Sequence, residues 1–266
     1  MSEQGLIKQG VIERFTNADA PENAAAGFRK SGVVLLDGLW SPDRIAAFRS
    51  ALARGQPQLF ERSDAGLGGA QHVGDDRFVV PLALTAETDC LDLILNPPLA
   101  GVLNQVLGSD WIFDAIGVIV SWPGASDQHV HRDGPSLFAE AGIDAILPAY
   151  AVTVSIPLQD NDALAGATAF WPGSHRSAVR LIDSQPEAPE AHAGSCVLWN
   201  FRIRHRGLGN HSQQPRLLLY LTACRRFWTD SFNFEPGRNS KLLIDAGLLA
   251  NLPEDQRARF WRAETL

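Results

Sequence analysis

The sequence predicts a mainly β protein with flanking helices: a jelly-roll core of short antiparallel strands, entered through a helical flank and closed by C-terminal helices. Three observations predict it. From Trp111 onward, short β-rich runs alternate with turns, at 111–121, 128–132, 150–159, 167–171, 195–200 and 216–227. Helical periodicity is confined to the stretches before and after this region. Pro and Gly cluster at turns between strands and build no linker, and no internal repeat or low-complexity segment is present. The expectation is one domain over residues 1–266, with a loose arm at 1–20, a helical flank at 21–110, the jelly roll at 111–230 and helices in 231–266.

Bulk composition narrows the function. Hydrophobic residues make up 45% and charged residues 20%, as in a soluble globular protein with a sizeable core. The net charge is -7, from 30 acidic against 23 basic residues, which argues against nucleic-acid binding. Cys90, Cys196 and Cys224 are too few, and odd in number, for a disulfide framework; buried reduced thiols are expected. Residues 1–4 carry no basic region leading into an apolar one, so no signal peptide is expected. No apolar run approaches the roughly 18 residues of a membrane span. A cytoplasmic protein, monomeric or homodimeric, without nucleic-acid or membrane partners, is the expectation.

The elements follow in order. Residues 21–30 read as a short helix with Gly32 at its stop, and 33–37 as an apolar strand. Ser41, Pro42 and Asp43 supply an N-cap, a first-turn proline and a first-turn acid. Ile45, Phe48 and Leu52 then recur at helical spacing, so 42–54 is an amphipathic helix. The Gly-, Asp- and Ser-rich stretch 62–76 reads as a loop, and 77–84 as extended chain. Leu99, Val102, Leu103, Val106 and Leu107 mark a second helix, ended by Gly108. Tyr150, Val152, Val154, Ile156 and Leu158 alternate as in a half-buried strand. Residues 241–250 and 254–263 read as terminal helices.

The chemistry centres on His131-Arg132-Asp133 and on His205 farther along. Residues two apart on an extended strand face the same way, so His131 and Asp133 point together. A second His from a distant strand closes the triangle. Two imidazoles and one carboxylate on one face of a metal leave its other face open, the facial arrangement of non-haem Fe(II) oxygenases.

The company of this triad is more specific than the triplet. HxD at 131–133 is followed by GxT at 166–168 and PGSH at 172–175. HRGxGNxS at 205–212 and PR at 215–216 complete the set. In this order and spacing the sequence resembles the phytanoyl-CoA dioxygenase family of Fe(II)/2-oxoglutarate oxygenases, and the likeness reaches back to the strand–helix unit at 27–54. The resemblance implies a double-stranded β-helix, cupin-like, in agreement with the jelly roll read from the strands. It implies His131, Asp133 and His205 as iron ligands, and Arg216 as the anchor for the distal carboxylate of 2-oxoglutarate. A guanidinium suits that role because it is always charged and grips a carboxylate with two hydrogen bonds. Gln128 and Thr168 match polar cosubstrate contacts in part of the family, and Arg77 is expected to add charge to the same pocket.

The implied reaction uses Fe(II), 2-oxoglutarate and O2, with ascorbate as an auxiliary reductant. 2-Oxoglutarate is decarboxylated to succinate while a C–H bond of a small, partly apolar metabolite is oxidised, by default hydroxylated; desaturation, epoxidation and rearrangement are open from the same chemistry. Halogenation is disfavoured by the presence of Asp133. Two other classes compete: a non-catalytic jelly roll with a vestigial metal site, and a zinc hydrolase, which His/Asp/His also suits. Arg216 discriminates against both.

The segments 62–76 and 134–149 are expected to surround the mouth. Leu137 and Phe138, close behind Asp133, are expected to face the cavity, with His72 a further substrate contact. Ile143, Ile146 and Leu147 are too apolar for a fully exposed loop and are expected on the rim or in the same pocket wall. His129 shares the face of His131. His175 reads as a structural turn residue, His192 and His211 as solvated, Trp199 and Phe170 as core, and Asp127 and Asp160 as turn caps.

Overall fold

The computed structural model describes residues 12–61, 67, 70–138, 142–176, 185–233 and 241–266. The chain enters through β1 (Glu13–Thr16), α1 (Pro21–Ser31), β2 (Val33–Asp37) and α2 (Pro42–Gly55). β3 (Gln71–Gly74), β4 (Arg77–Pro81), β5 (Ala83–Leu84), α3 (Leu91–Ile94) and α4 (Pro97–Leu107) come next. The core strands are β6 (Ile112–Ser121), β7 (Ala151–Pro157), β8 (Thr168–Phe170), β9 (Cys196–Asn200), β10 (His205–Gly207) and β11 (Arg216–Cys224), with α5 (Ile143–Ile146) between β6 and β7. The end of the chain forms β12 (Leu243–Ile244), α6 (Ala246–Ala250), α7 (Glu254–Arg257) and β13 (Glu264–Thr265).

Eight strands form one sheet in the order β1-β2-β9-β7-β11-β6-β4-β3, antiparallel throughout except for the parallel pair β1–β2. The short pair β8–β10 lies against the inner face of this sheet and completes the jelly roll. Period-two alternation decides which side of each central strand goes where. Val152, Val154, Ile156, Leu217, Leu219 and Leu221 face outward onto the helices, where they pack in one buried cluster with Phe28, Ile45, Phe48, Leu52, Leu99 and Leu103. Each such side chain contributes about 1.5–3 kcal/mol by leaving water. The opposite face carries Thr153, Trp199, Arg216 and Tyr220 toward the interior of the roll.

The helix signals act as expected. α1 stops at Gly32, whose φ of 83° is left-handed and whose N–H reaches the Phe28 carbonyl. Ser41 caps α2 by accepting from the Arg44 N–H. All three cysteines are free and buried. No helix among the described residues is long and apolar enough to cross a membrane.

Four expectations are corrected. The arm expected at 1–20 contains β1, which pairs with β2 and is fixed by Arg14 on Asp37; residues 1–11 lie outside the described residues. The loop expected at 62–76 ends in β3, paired with β4; residues 62–66 and 68–69 lie outside the described residues. Residues 128–132 are no regular strand. They run beside β10 through Gln128 N on Gly207 O and a single reciprocal bridge between His131 and His205, three residues on, and that spacing breaks a two-residue ladder. The expected helix at 241–250 begins as β12, and that at 254–263 is one α-helical turn plus one 3-10 turn. Residues 234–240 lie outside the described residues.

Candidate active site

The sequence motifs are joints that bring the functional side chains together. PGSH docks on the end of α1: Gly173 N–H donates to Ser31 O at 2.6 Å, and Ser174 Oγ accepts from Arg204 N–H, which fixes the residue before His205. GxT and HRGxGN interlock by close backbone approach. Gly166 has φ of 83°, and a Cβ there would lie 2.3 Å from the Gly209 carbonyl oxygen. Asn210 ties the following turn to Ser121 O and Gln214 O, which delivers Arg216 to the start of β11 beside Ser121.

The ligating atoms of His131, Asp133 and His205 all lie within 4.8 Å of one another. The polarity around them suits a divalent metal. His131 Nδ1 contacts the His129 carbonyl at 2.9 Å and His205 Nδ1 the Ile203 carbonyl at 3.1 Å. A carbonyl can only accept, so each Nδ1 carries a proton and each Nε2 is turned toward the centre. Asp133 Oδ2 accepts from Thr153 Oγ1 at 2.6 Å and from Trp199 Nε1 at 2.8 Å, which leaves Oδ1, 3.2 Å from His205 Nε2, as the oxygen facing the centre. Burial and the neighbouring imidazole lower the pKa of His131, which favours its neutral, ligating form. Burial works to raise Asp133, but the charge and hydrogen bond of His205 and the Thr153 hydroxyl outweigh it, and its pKa falls below the usual carboxylate range. Burial likewise works to lower His205, and Asp133 reverses it, so His205 is raised.

The triad opens onto a cavity of about 480 Å³. Two arginines lie at its deep end. Arg77 is 1% exposed and donates to Ser121 Oγ and to the carbonyls of Gly207 and Leu208. Arg216 is 2% exposed and donates to Gly166 O and Ser121 Oγ, while its buried Nε has no partner among the described residues. Burial pushes Arg77 down to about 10, with Asp127 partly opposing. Burial and then the charge of Arg77 push Arg216 down to about 9. Both directions come from burial, and among the described residues neither guanidinium has a carboxylate at ion-pair distance; a guanidinium stays charged near neutral pH. Two guanidiniums that line one cavity can bind an anion there.

The remaining expected residues divide. Thr168 and Gln128 line the cavity. Both ends of the Gln128 amide are engaged by backbone, Nε2 on Val73 O and Oε1 on Gly207 N–H, so it braces β3 to β10. His72 and His129 line the mouth. Leu137 and Phe138 do not line the cavity; Phe138 is 49% exposed, because Asp144 accepts from both their backbone N–H groups and holds the segment outward. Ile146, expected against the barrel or in its wall, is 82% exposed. His175 is structural as expected, buried against α1 on the Arg29 carbonyl. Trp199 is buried as expected but also touches Asp133, a role its sequence neighbourhood gives no sign of. Sequence reasoning also missed Thr153, Ser121, Tyr220, Phe232 and Asn233. Phe232 and Asn233 come from the segment after β11, which Asn233 Nδ2 fastens to the Asp133 carbonyl at 2.6 Å.

A family model described as phytanoyl-CoA dioxygenase (PhyH) matches residues 28–218. The dioxygenase hkm4 of Aspergillus hancockii is 32% identical over 230 residues, 79% of this chain and 73% of that protein. The Fe(II)/2-oxoglutarate-dependent dioxygenase nvfF of Aspergillus novofumigatus is 31% identical over 213 residues, 75% of this chain and 70% of that protein. Among solved structures, HygX from Streptomyces hygroscopicus, with nickel and 2-oxoglutarate bound, superposes with a TM-score of 0.61 at 15% identity, over 78% of this chain and 88% of that one. The epimerase SnoN from nogalamycin biosynthesis superposes with a TM-score of 0.58 at 21% identity, over 77% and 83%. At these identities the structures carry the fold alone.

Proposed function

Because the chain belongs to the phytanoyl-CoA dioxygenase family and is an Fe(II)/2-oxoglutarate-dependent dioxygenase, we propose that His131, Asp133 and His205 hold the iron and that Arg216 anchors the distal carboxylate of 2-oxoglutarate. One observation carries this assignment: a two-His, one-carboxylate cluster shares one cavity with two buried arginines that have no carboxylate partner among the described residues. Iron with 2-oxoglutarate and O2 supplies the oxidising power for a C–H bond.

The chain's own side chains supply position. Two backbone carbonyls set the imidazole tautomers. Arg77 adds charge behind Arg216, and Thr168 offers a hydroxyl beside them. A zinc hydrolase has no use for the two guanidiniums. The substrate is a small, partly apolar molecule that is hydroxylated. Val79, Ile119, Leu218 and Phe232 offer apolar walls, while His72, His129 and Asn233 offer polar contacts at the mouth. The same proposal places the enzyme in the cytoplasm, acting as a monomer or homodimer on free metabolites. Three buried free thiols support a reducing compartment.

The test is succinate formation from 2-oxoglutarate in the presence of Fe(II), measured with candidate metabolites above the uncoupled background. Asp133→Ala should abolish it. Turnover that survives this change, or that needs no 2-oxoglutarate, refutes the assignment.

A further inference from the structure

Asp133 offers two oxygens, and the structure treats them unequally. Oδ2 is saturated by two donors, Thr153 Oγ1 at 2.6 Å and Trp199 Nε1 at 2.8 Å. The donors are not accidental neighbours. Thr153 on β7 and Trp199 on β9 stand directly opposite each other in the sheet register. Both therefore project from one spot on the inner face. Thr153 is fully buried and Trp199 is 4% exposed, so neither donor has competing water. The indole is further wedged between His205 and Phe170, with ring centroids 5.5 and 5.4 Å away.

We propose that Thr153 and Trp199 are positioning residues that hold Asp133 Oδ2 out of the metal's reach, so that the carboxylate offers the metal one oxygen. This rests on the reading of His131, Asp133 and His205 as metal ligands. The physical argument is direct. A carboxylate that turns about its last bond can grip a cation with both oxygens. Turning Asp133 that way strips Oδ2 of both donors and leaves a buried hydroxyl and a buried indole N–H without partners. A buried donor left without an acceptor loses its water without replacement, which opposes the turn. The clamp thus keeps the carboxylate a one-point ligand and leaves the rest of the metal's surroundings to molecules from outside the chain. Partners of this kind around metal ligands govern affinity as well as geometry.

Cobalt(II) titration of the full-length chain, followed by visible absorption, tests the inference without turnover. Thr153→Val removes the hydroxyl and keeps the shape; Trp199→Phe removes the N–H and keeps a ring. Each should weaken cobalt binding by about tenfold or more and change the intensity of the cobalt bands, which report coordination number. Thr153→Ser, which restores a hydroxyl, should return both toward wild type, an outcome that loss of packing alone would not give. If Trp199→Phe fails to fold, the Thr153 pair decides alone. Wild-type affinity and wild-type bands in Thr153→Val overturn the clamp while leaving the metal site standing, provided Asp133→Ala abolishes binding. Cobalt binding that is unchanged in Asp133→Ala overturns the metal assignment and the clamp with it.

Discussion

Arg77 and Arg216 meet at a single oxygen: both guanidiniums donate to Ser121 Oγ, at 2.8 and 2.9 Å. The sheet makes this meeting, because Ser121 on β6 is paired with Arg77 on one side and Arg216 on the other. Two like charges are held together by a neutral hydroxyl, buried, and the Arg216 Nε beside them has no partner among the described residues. On the proposed assignment the distal carboxylate of 2-oxoglutarate supplies the opposite charge.

Adding 2-oxoglutarate should therefore raise the melting temperature even without turnover. At a hundredfold excess over Kd the linkage is worth about 2.7 kcal/mol. Arg216→Ala should remove most of this shift and raise the 2-oxoglutarate KM at least about tenfold, since a charge-assisted pair contributes about 2–3 kcal/mol. Arg216→Lys should recover only part, because the planar fork is lost. Identical titration curves for wild type and both variants place the cosubstrate elsewhere.

Gly207 makes a separate test of the same region. A Cβ there would lie 2.4 Å from a terminal nitrogen of Arg77 and 2.8 Å from Gln128 Oε1. Gly207→Ala should displace Arg77, destabilise the fold by about 1–3 kcal/mol and raise the 2-oxoglutarate KM. Cobalt affinity should change far less, because His205 and Asp133 keep their own partners. An unchanged KM would show that Arg77 is irrelevant to the cosubstrate.

His175 gives the protein a pH dependence of its own. Burial lowers its pKa to about 4, against 6.5 in the unfolded chain. Above pH 6.5 both states are neutral and its contribution is constant. As pH falls from 6.5 toward 4 the unfolded state takes up the proton first, so stability is lost across that window, by as much as about 3 kcal/mol. Urea unfolding at pH 7 and pH 5 should show a smaller difference in His175→Gln than in wild type. Parallel losses in the two proteins refute it.

Phe232 and Phe138 exchange the roles that chain position suggests. Phe232 is 70% exposed at the mouth, on a segment fixed by Asn233, whereas Phe138, 49% exposed, does not line the cavity. Phe232→Ala should raise the KM for the organic substrate several-fold more than the KM for 2-oxoglutarate. Phe138→Ala should do neither. A substrate KM that responds to Phe138 alone would return the pocket wall to the 134–149 segment.

The central strands and the two long helices were legible because alternation and helical spacing are local properties, and burial of one face enforces them. That His131, Asp133 and His205 converge and share a cavity with Arg216 was legible because motif spacing places them and the turn chemistry of PGSH and HRGxGN fixes their surroundings. β1 was not, since Glu13–Thr16 is a polar edge strand whose partner supplies its order. β3 was hidden behind the glycines that precede it. Trp199 was readable as buried, but its partner Asp133 is 66 residues away, and nothing local distinguishes an indole against core from one against a carboxylate. Leu137 and Phe138 misled because tethering to Asp133 limits distance and says nothing of direction.

Exposure along the cavity has a consequence in time. It rises from 1% and 2% at Arg77 and Arg216, through 4% at His205, to 70% at Phe232. Phe232 and Asn233 line the same cavity as Arg216, so a substrate held against them would lie between solvent and Arg216. On the proposed assignment, 2-oxoglutarate must arrive before the organic substrate, and succinate must wait for the hydroxylated product to leave. Succinate should then compete with 2-oxoglutarate and with nothing else, and an excess of organic substrate should slow the enzyme by entering first. On this assignment depth would set the queue, without any moving part.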